Sequence, residues 1–267
     1  MLTSPTLLAL DFDGVICDGL QEYFQTTCRA YDRLWKPETL NSQHDIFANS
    51  FYQLRPVIET GWEMPVLLRS LVLGEPKSNI LEDWPQVRDR LVETEKLNGK
   101  EITQIVDSVR DEWIESNLES WLKLHRFYPG IIAKIKQILQ AEQTQVVIIT
   151  TKEGRFAKKL LQQQGLNFSQ TAIFGKEVKR PKPETLRQLI ANPSYNTEKI
   201  WFVEDRLKTL ELVAQQPDLN DIELYLADWG YNTETMRASL ANNSTIHLLS
   251  LAGFASNFTN WRSRSKS

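Results

Sequence analysis

The sequence predicts an α/β protein: a parallel sheet covered by helices on both faces, with a long helical segment inserted near its start. Three observations carry this. The apolar run Leu7 to Leu10 stops at an acidic turn, Asp11 to Gly14, as a buried central strand stops at a loop. After Pro129-Gly130, strand-like and helix-like stretches alternate, and the handedness of crossovers then favours a parallel sheet. Between the two, from Asp18 to about Tyr128, the chain turns to Leu, Trp, Gln, Arg and Glu with apolar residues at helical spacing.

Within that middle stretch, Val87, Leu91 and Val92, and again Ile102, Ile105, Val106 and Val109, lie on helix faces. Pro37, Pro56, Pro65, Pro76 and Pro85 punctuate it as helix starts and ends. The spacing predicts about four to six helices. The alternating part then reads in order. Ile131 to Leu139 is a helix, and the β-branched run Val146 to Ile149 is a buried strand. Arg155 to Gln164 is a helix that Gly165 ends, and Ala172 to Phe174 is a short strand. Glu184 to Ala191 is a helix, Ile200 to Val203 a strand and Leu207 to Gln215 a helix. Ile222 to Ala227 is a strand, Thr233 to Leu240 a helix and Thr245 to Leu249 the last strand. The domains expected are 1–17 with 128–267 for the sheet, and 18–127 for the insertion.

Bulk properties exclude several function classes. Hydrophobic residues make up 41% and charged residues 24% of 267 positions, as in a soluble globular protein. A net charge of −3 gives no basic face for nucleic acid. The basic tail Arg262, Arg264 and Lys266 sits among serines and reads as a solvated end. No run approaches a membrane span, and the start reads as a first strand, not a signal peptide. Two cysteines, Cys17 and Cys28, suit a reduced, cytoplasmic protein better than a disulfide framework. Nothing demands an assembly, and a monomer is compatible with all of this.

Four polar segments could carry chemistry, and three of them, at Asp11, Thr150 and Glu204-Asp205, lie at the carboxyl ends of strands, where functional groups gather in parallel sheets. Asp11-Phe12-Asp13-Gly14 places two carboxylates two residues apart at a buried strand end. Like charges there call for a cation or a proton, and Mg²⁺ takes such oxygen ligands. Gly14 permits a sharp turn or a close backbone approach. The plainer alternative is a polar turn with Asp13 capping a helix. Thr150-Thr151, after the second strand, would bind a phosphate oxygen or cap the following helix. The basic stretch Lys176 to Glu184 supplies a lysine to neutralise a nucleophile and a phosphoryl group, or is an ordinary solvated loop. Glu204-Asp205, at a further strand end, would ligate a metal, or Asp205 would cap a helix or pair with Arg206.

In their order, these segments resemble the four motifs of haloacid dehalogenase superfamily hydrolases. Asp11-Phe12-Asp13 matches the first motif, with Asp18 as a frequent later aspartate. Thr150 matches the second, Lys182-Pro183 the third and Glu204-Asp205 the fourth. Many relatives read Lys-Pro-any-Pro at the third motif, a register that places Arg180 at the lysine position, and Lys179 is a further candidate. Lys182 is preferred because the role needs a compact ammonium. Ala227-Asp228-Trp229-Gly230-Tyr231 is similar to a stretch common in the phosphoglycolate-phosphatase-like branch. The resemblance implies a Rossmann-like core with 18–127 as a helical cap.

It also implies a Mg²⁺-dependent phosphatase acting on a small-molecule phosphate monoester. By that carry-over Asp11 is the nucleophile, Asp13 the acid and base, and Thr150 and Lys182 hold the phosphoryl oxygens. Gly14 and Thr151 contact substrate, and Asp11, Asp13, Glu204 and Asp205 hold the metal. Asp13 argues against a dehalogenase, because a halide leaving group needs no acid. Two other readings share these residues: a phosphomutase of the same fold, and a catalytically idle binding or regulatory protein. Trp35, Trp62, Trp84, Trp113 and Trp121 are expected to form the core of the insertion more than to face substrate. His44 and His125 are assigned no catalytic part.

Overall fold

A strand of four apolar residues with no exposed side chain needs a partner on each edge and a layer on each face. In the computed structural model, which describes residues 4–36, 45–169 and 172–261, β1 (Leu7–Leu10) has both. His44 and the basic tail residues Arg262, Arg264 and Lys266 lie outside the described residues. The chain divides into two units, Met1–Asp18 with Arg126–Ser267, and Gly19–His125.

In the first unit β1 pairs in parallel with β4 (Gln145–Ile149) on one edge and with β6 (Ile200–Glu204) on the other, so Leu10 ends beside Ile148 and Val203. The six-stranded sheet runs β5 (Ile173–Phe174), β4, β1, β6, β7 (Glu223–Ala227), β8 (Ile246–Leu249), with every pairing parallel. The order reverses direction around β1, and an open parallel sheet forms its crevice at such a reversal.

Strand alternation sorts the side chains. Leu7, Ala9, Val147, Ile149 and Phe202 pack with Leu186 and Leu189 of α9 (Lys182–Ala191) and with Leu207, Leu210 and Val213 of α10 (Leu207–Ala214). Trp201 and Tyr225 meet a ring cluster with Trp261 and Phe258, and Phe254 stacks on Trp261 at 4.9 Å. Each such large side chain, once buried, contributes roughly 1.5–3 kcal/mol. Two further helices in this unit are α7 (Ile131–Ala141) and α8 (Gly154–Gln163).

Several element bounds differ from expectation. Helix α9 starts at Lys182, two residues before Glu184, because Pro183 fits the first helical turn, where its missing N–H costs nothing. The helix expected over Thr233 to Leu240 is only α11 (Glu234–Ala238), capped by Thr233. A short α12 (Leu251–Ala255), started by the Ser250 side chain on Gly253 N, escaped the sequence pattern. So did the pair β2 (Cys17–Asp18) and β3 (Arg126–Phe127). These antiparallel strands hold the two ends of the insertion side by side. They belong to the same unit as the sheet, which includes Asp18, Arg126 and Phe127.

The second unit contains six helices among the described residues: α1 (Leu20–Trp35), α2 (Asp45–Leu54), α3 (Glu63–Val72), α4 (Lys77–Glu82), α5 (Trp84–Thr94) and α6 (Gly99–Leu122). Its core gathers Phe24, Tyr31, Phe51, Leu67, Ile80, Trp84, Val87 and Val106. Trp84, Trp113 and Trp121 are buried, and Trp35 and Trp62 pack against the core from its margin. Two buried carboxylates here accept hydrogen bonds. Glu22 Oε1 accepts from Thr26, Arg110 and Trp121, and Glu63 accepts from Thr60 and Trp84. His125 is buried against Trp121. No helix among the described residues is long and apolar enough to cross a membrane.

Candidate active site

Asp11 leaves β1 with its N–H donated to Val203 O of β6, which fixes it at the carboxyl edge of the sheet. The chain then turns sharply: Ile16 N and Cys17 N both donate to Phe12 O, and Gly14 N donates to Cys17 O. Gly14 has φ +92°, a left-handed value that favours glycine. A Cβ on it would lie 2.0 Å from Asp205 Oδ2. Gly230 closes the same gap from β7, where a Cβ would lie 2.2 Å from the Asp205 Cβ and 2.5 Å from Gly14 O. Two glycines thus make room for one carboxylate. That carboxylate accepts from Tyr231 N at 2.6 Å, and Asn232 Nδ2 ties Asp205 O to Ala227 O.

Of the three cationic candidates, Lys182 is the one placed beside the buried carboxylates. Lys182 Nζ lies 2.6 Å from Asp11 Oδ1 and 2.6 Å from Glu204 Oε2. Lys179 is exposed in a left-handed turn, and Arg180 donates to Gln188. Asp11, Glu204 and Asp205 are buried and each offer an oxygen within 4.8 Å of the others. Burial raises the Asp11 carboxyl to about 7; Lys182 opposes this, and Glu204 and Asp13 add to it. Burial likewise raises Glu204 against the pull of Lys182. For Lys182 burial disfavours the ammonium, but Asp11 and Glu204 outweigh it and hold the group above its usual range. Three clustered buried carboxylates, only two of them in contact with the ammonium, leave an excess of negative charge on hard oxygen donors. That donor set, with the glycine-lined space for Asp205, fits a divalent cation.

Asp13 stands apart from this cluster. Its Oδ1 is buried without a hydrogen bond, and Lys152 Nζ lies 3.4 Å away. Asp13 caps no helix: α1 is preceded by Gly19, with no side-chain cap. Thr150 is buried at the end of β4, and its hydroxyl accepts from Lys152 N at 3.1 Å. It does not cap α8 either, since Glu177 Oε2 accepts from Gly154 N and occupies that helix start. Thr151 is exposed. Asp205 does not cap α10, whose preceding residue is Arg206. The structure therefore brings Asp11, Asp13, Gly14, Thr150, Lys182, Glu204 and Asp205 to neighbouring strand ends and leaves Thr151 facing solvent. Sequence reasoning assigned no role to Lys152, Gly230, Tyr231 or Asn232. Gly230 and Tyr231 did lie in a stretch singled out by resemblance; Lys152 carried no signal, because its partner is far away in sequence.

The model of the haloacid dehalogenase-like hydrolases matches residues 5–213, a span that contains Asp11, Asp13, Thr150, Lys182, Glu204 and Asp205. The chain belongs to that family. Solved structures share the fold of this hydrolase. A haloacid dehalogenase-like family protein from Streptococcus pneumoniae superposes with a TM-score of 0.56 at 14% identity, covering 94% of this chain and 95% of that one. A predicted phosphatase from Clostridium acetobutylicum gives 0.55 at 14%, covering 91% and 93%. A predicted phosphoglycolate phosphatase from Haemophilus somnus gives 0.52 at 14%, covering 87% and 88%. At such identities the likeness is one of fold. No curated protein sequence matches the chain.

Proposed function

We propose that this hydrolase is a Mg²⁺-dependent phosphatase that cleaves a small-molecule phosphate monoester through an aspartyl-phosphate on Asp11. The observation that carries the reading is the Lys182 ammonium set 2.6 Å from the Asp11 carboxylate, beside Asp205 and with Asp13 two residues on. An Asp11 oxygen attacks phosphorus and the bond from phosphorus to the leaving oxygen breaks. Asp13 gives its proton to that oxygen, so the alcohol departs neutral. Water then attacks the phosphorus of the acyl phosphate, Asp13 takes the water's proton, and Asp11 and inorganic phosphate are released. Lys182 and the Thr150 hydroxyl hold the equatorial oxygens, where charge is spread during transfer. Asp11, Asp205, the Asp13 carbonyl and the nearby Glu204 are the candidates to hold Mg²⁺, which when bound offsets the repulsion between a carboxylate nucleophile and a phosphate.

The inserted helical unit serves as the cap in this reading, and substrate choice is assigned to it, Gly14 supplying close backbone approach at the core. Thr151, being exposed, is a weaker contact than Thr150. Two free, buried thiols support a reducing, cytoplasmic setting. The test is turnover of p-nitrophenyl phosphate and of a phosphometabolite panel with and without Mg²⁺. Asp11→Asn is expected to abolish it with the fold intact. Full activity in that variant, or an inert wild type across the panel, overturns the reading.

A further inference from the structure

Glu204 and Asp205 are adjacent in sequence and both buried, yet they have different partners. Glu204 is the last residue of β6, and strand alternation puts it on the same face as Phe202, which packs against α9. Lys182, the first residue of α9, passes 5.9 Å above the Phe202 ring and reaches Glu204 Oε2 at 2.6 Å. Glu204 Oε1 accepts from Arg206 N at 3.3 Å. Both of its oxygens are therefore engaged within the protein. Asp11 meets the lysine through Oδ1 alone, and Asp205 projects to the other side, against Gly14, Gly230 and Tyr231 N.

We infer that Glu204 is a positioning residue for the Lys182 ammonium and not a ligand of the cation. Mg²⁺ needs only one or two carboxylates beside water and phosphate, and Asp11 and Asp205 meet that need. An oxygen shared between Mg²⁺ and Lys182 would bring two positive centres together, which is unfavourable in a buried site. Glu204 instead supplies the second negative partner that lets an ammonium stay charged away from water, and it fixes where that ammonium points. The acidic pair at the end of β6 thus divides its work: one carboxylate holds the lysine, the other the metal.

This inference rests on the phosphatase reading only for its turnover arm. Mg²⁺ affinity is measured by isothermal titration calorimetry on the full chain for wild type, E204Q and D205N. E204Q is expected to keep its Kd within about threefold, while D205N weakens it at least about tenfold. In turnover E204Q should lose about 10–100-fold in kcat, with no further loss when it is added to K182M, since the two residues act as one unit. Urea unfolding of the same four proteins should be non-additive as well. If E204Q does not fold, E204D, which withdraws the carboxylate by one methylene, replaces it. A Mg²⁺ affinity lost as heavily in E204Q as in D205N overturns the inference, as do additive losses in the double variant. An inactive wild type removes the phosphatase reading alone; the unfolding cycle then decides the Lys182 pairing, and the titration decides the ligand set.

Discussion

Removing the Lys182 ammonium by Lys182→Met should destabilise the metal-free protein by an amount that grows with pH. The side chain sits 2.6 Å from two carboxylates and is only 12% exposed. Deleting one partner of a buried ion pair costs about 3–5 kcal/mol when the other partner stays charged. Whether it stays charged depends on pH. In the wild type the Asp11 carboxyl is raised from 3.8 to about 7, chiefly by burial and against Lys182. A raised acid favours the folded state below its unfolded value, and this contribution is lost as pH climbs from about 4 through 7. The full displacement corresponds to roughly 4 kcal/mol. Without Lys182, Asp11 and Glu204 lose the cation that lowers both, so their protonated forms persist to higher pH. Towards pH 5 Asp11 shifts to its neutral form in wild type and variant, and the difference should shrink towards about 1 kcal/mol, the worth of ordinary hydrogen bonds. Near pH 8.5 it should reach 3–5 kcal/mol. Urea unfolding in excess chelator at the two pH values reads this directly. Equal losses at both, or a larger loss at pH 5, would show that Lys182 acts by packing and would refute the charge argument.

Mg²⁺ should raise the thermal midpoint of wild type, by about 2.7 kcal/mol of stability at a hundredfold excess over Kd, and more at pH 8 than at pH 5 because its ligands must be ionised; an unchanged midpoint at both pH values counts against the cation site. Gly14→Ala should cost about 1–2 kcal/mol for the left-handed backbone and further weaken Mg²⁺ binding, because its Cβ meets the Asp205 carboxylate at 2.0 Å. Gly74→Ala, at φ +81° with nothing within 4 Å, should show the backbone cost alone and leave Mg²⁺ affinity untouched, as calorimetry on both variants will tell. Asp13→Ala should slow alkyl phosphates about 10²–10⁴-fold and p-nitrophenyl phosphate much less, since only the former need a protonated leaving group; equal slowing across a leaving-group series would remove Asp13 from that role.

The fold was legible where local pattern and tertiary environment agree. Leu7 to Leu10 and Val146 to Ile149 are apolar throughout because both sheet faces are covered, and nothing competes with that signal. The strands β2 and β3 were not legible, since two-residue strands such as Cys17–Asp18 have no periodicity to detect. The start of α9 was misplaced because the two prolines around Lys182 read as a boundary, whereas Pro183 sits inside the first turn. In the candidate site, the acidic residues at strand ends could be picked out one by one, because carboxylates after apolar runs are conspicuous. Choosing Lys182 over Lys179 and Arg180 from the sequence required a chemical preference for ammonium; the distances to Asp11 and Glu204 supply a geometric reason. Partners such as Lys152, whose aspartate is over a hundred residues away, had no local signature at all.

The two aspartates of the first turn are two residues apart, yet each faces its own lysine, Asp11 facing Lys182 and Asp13 facing Lys152. Those lysines come from different structural sources. Lys182 opens α9 on one face of the sheet, while Lys152 lies in the loop after β4, where Thr150 accepts from its N–H. Such separation matters for any scheme that gives the carboxylates unlike tasks. Distinct counter-charges, one at the start of α9 and one in the loop after β4, give the two groups different surroundings although they share one turn. On this view the sheet does more than gather polar groups at a rim: its alternation and strand order determine which cation each carboxylate meets.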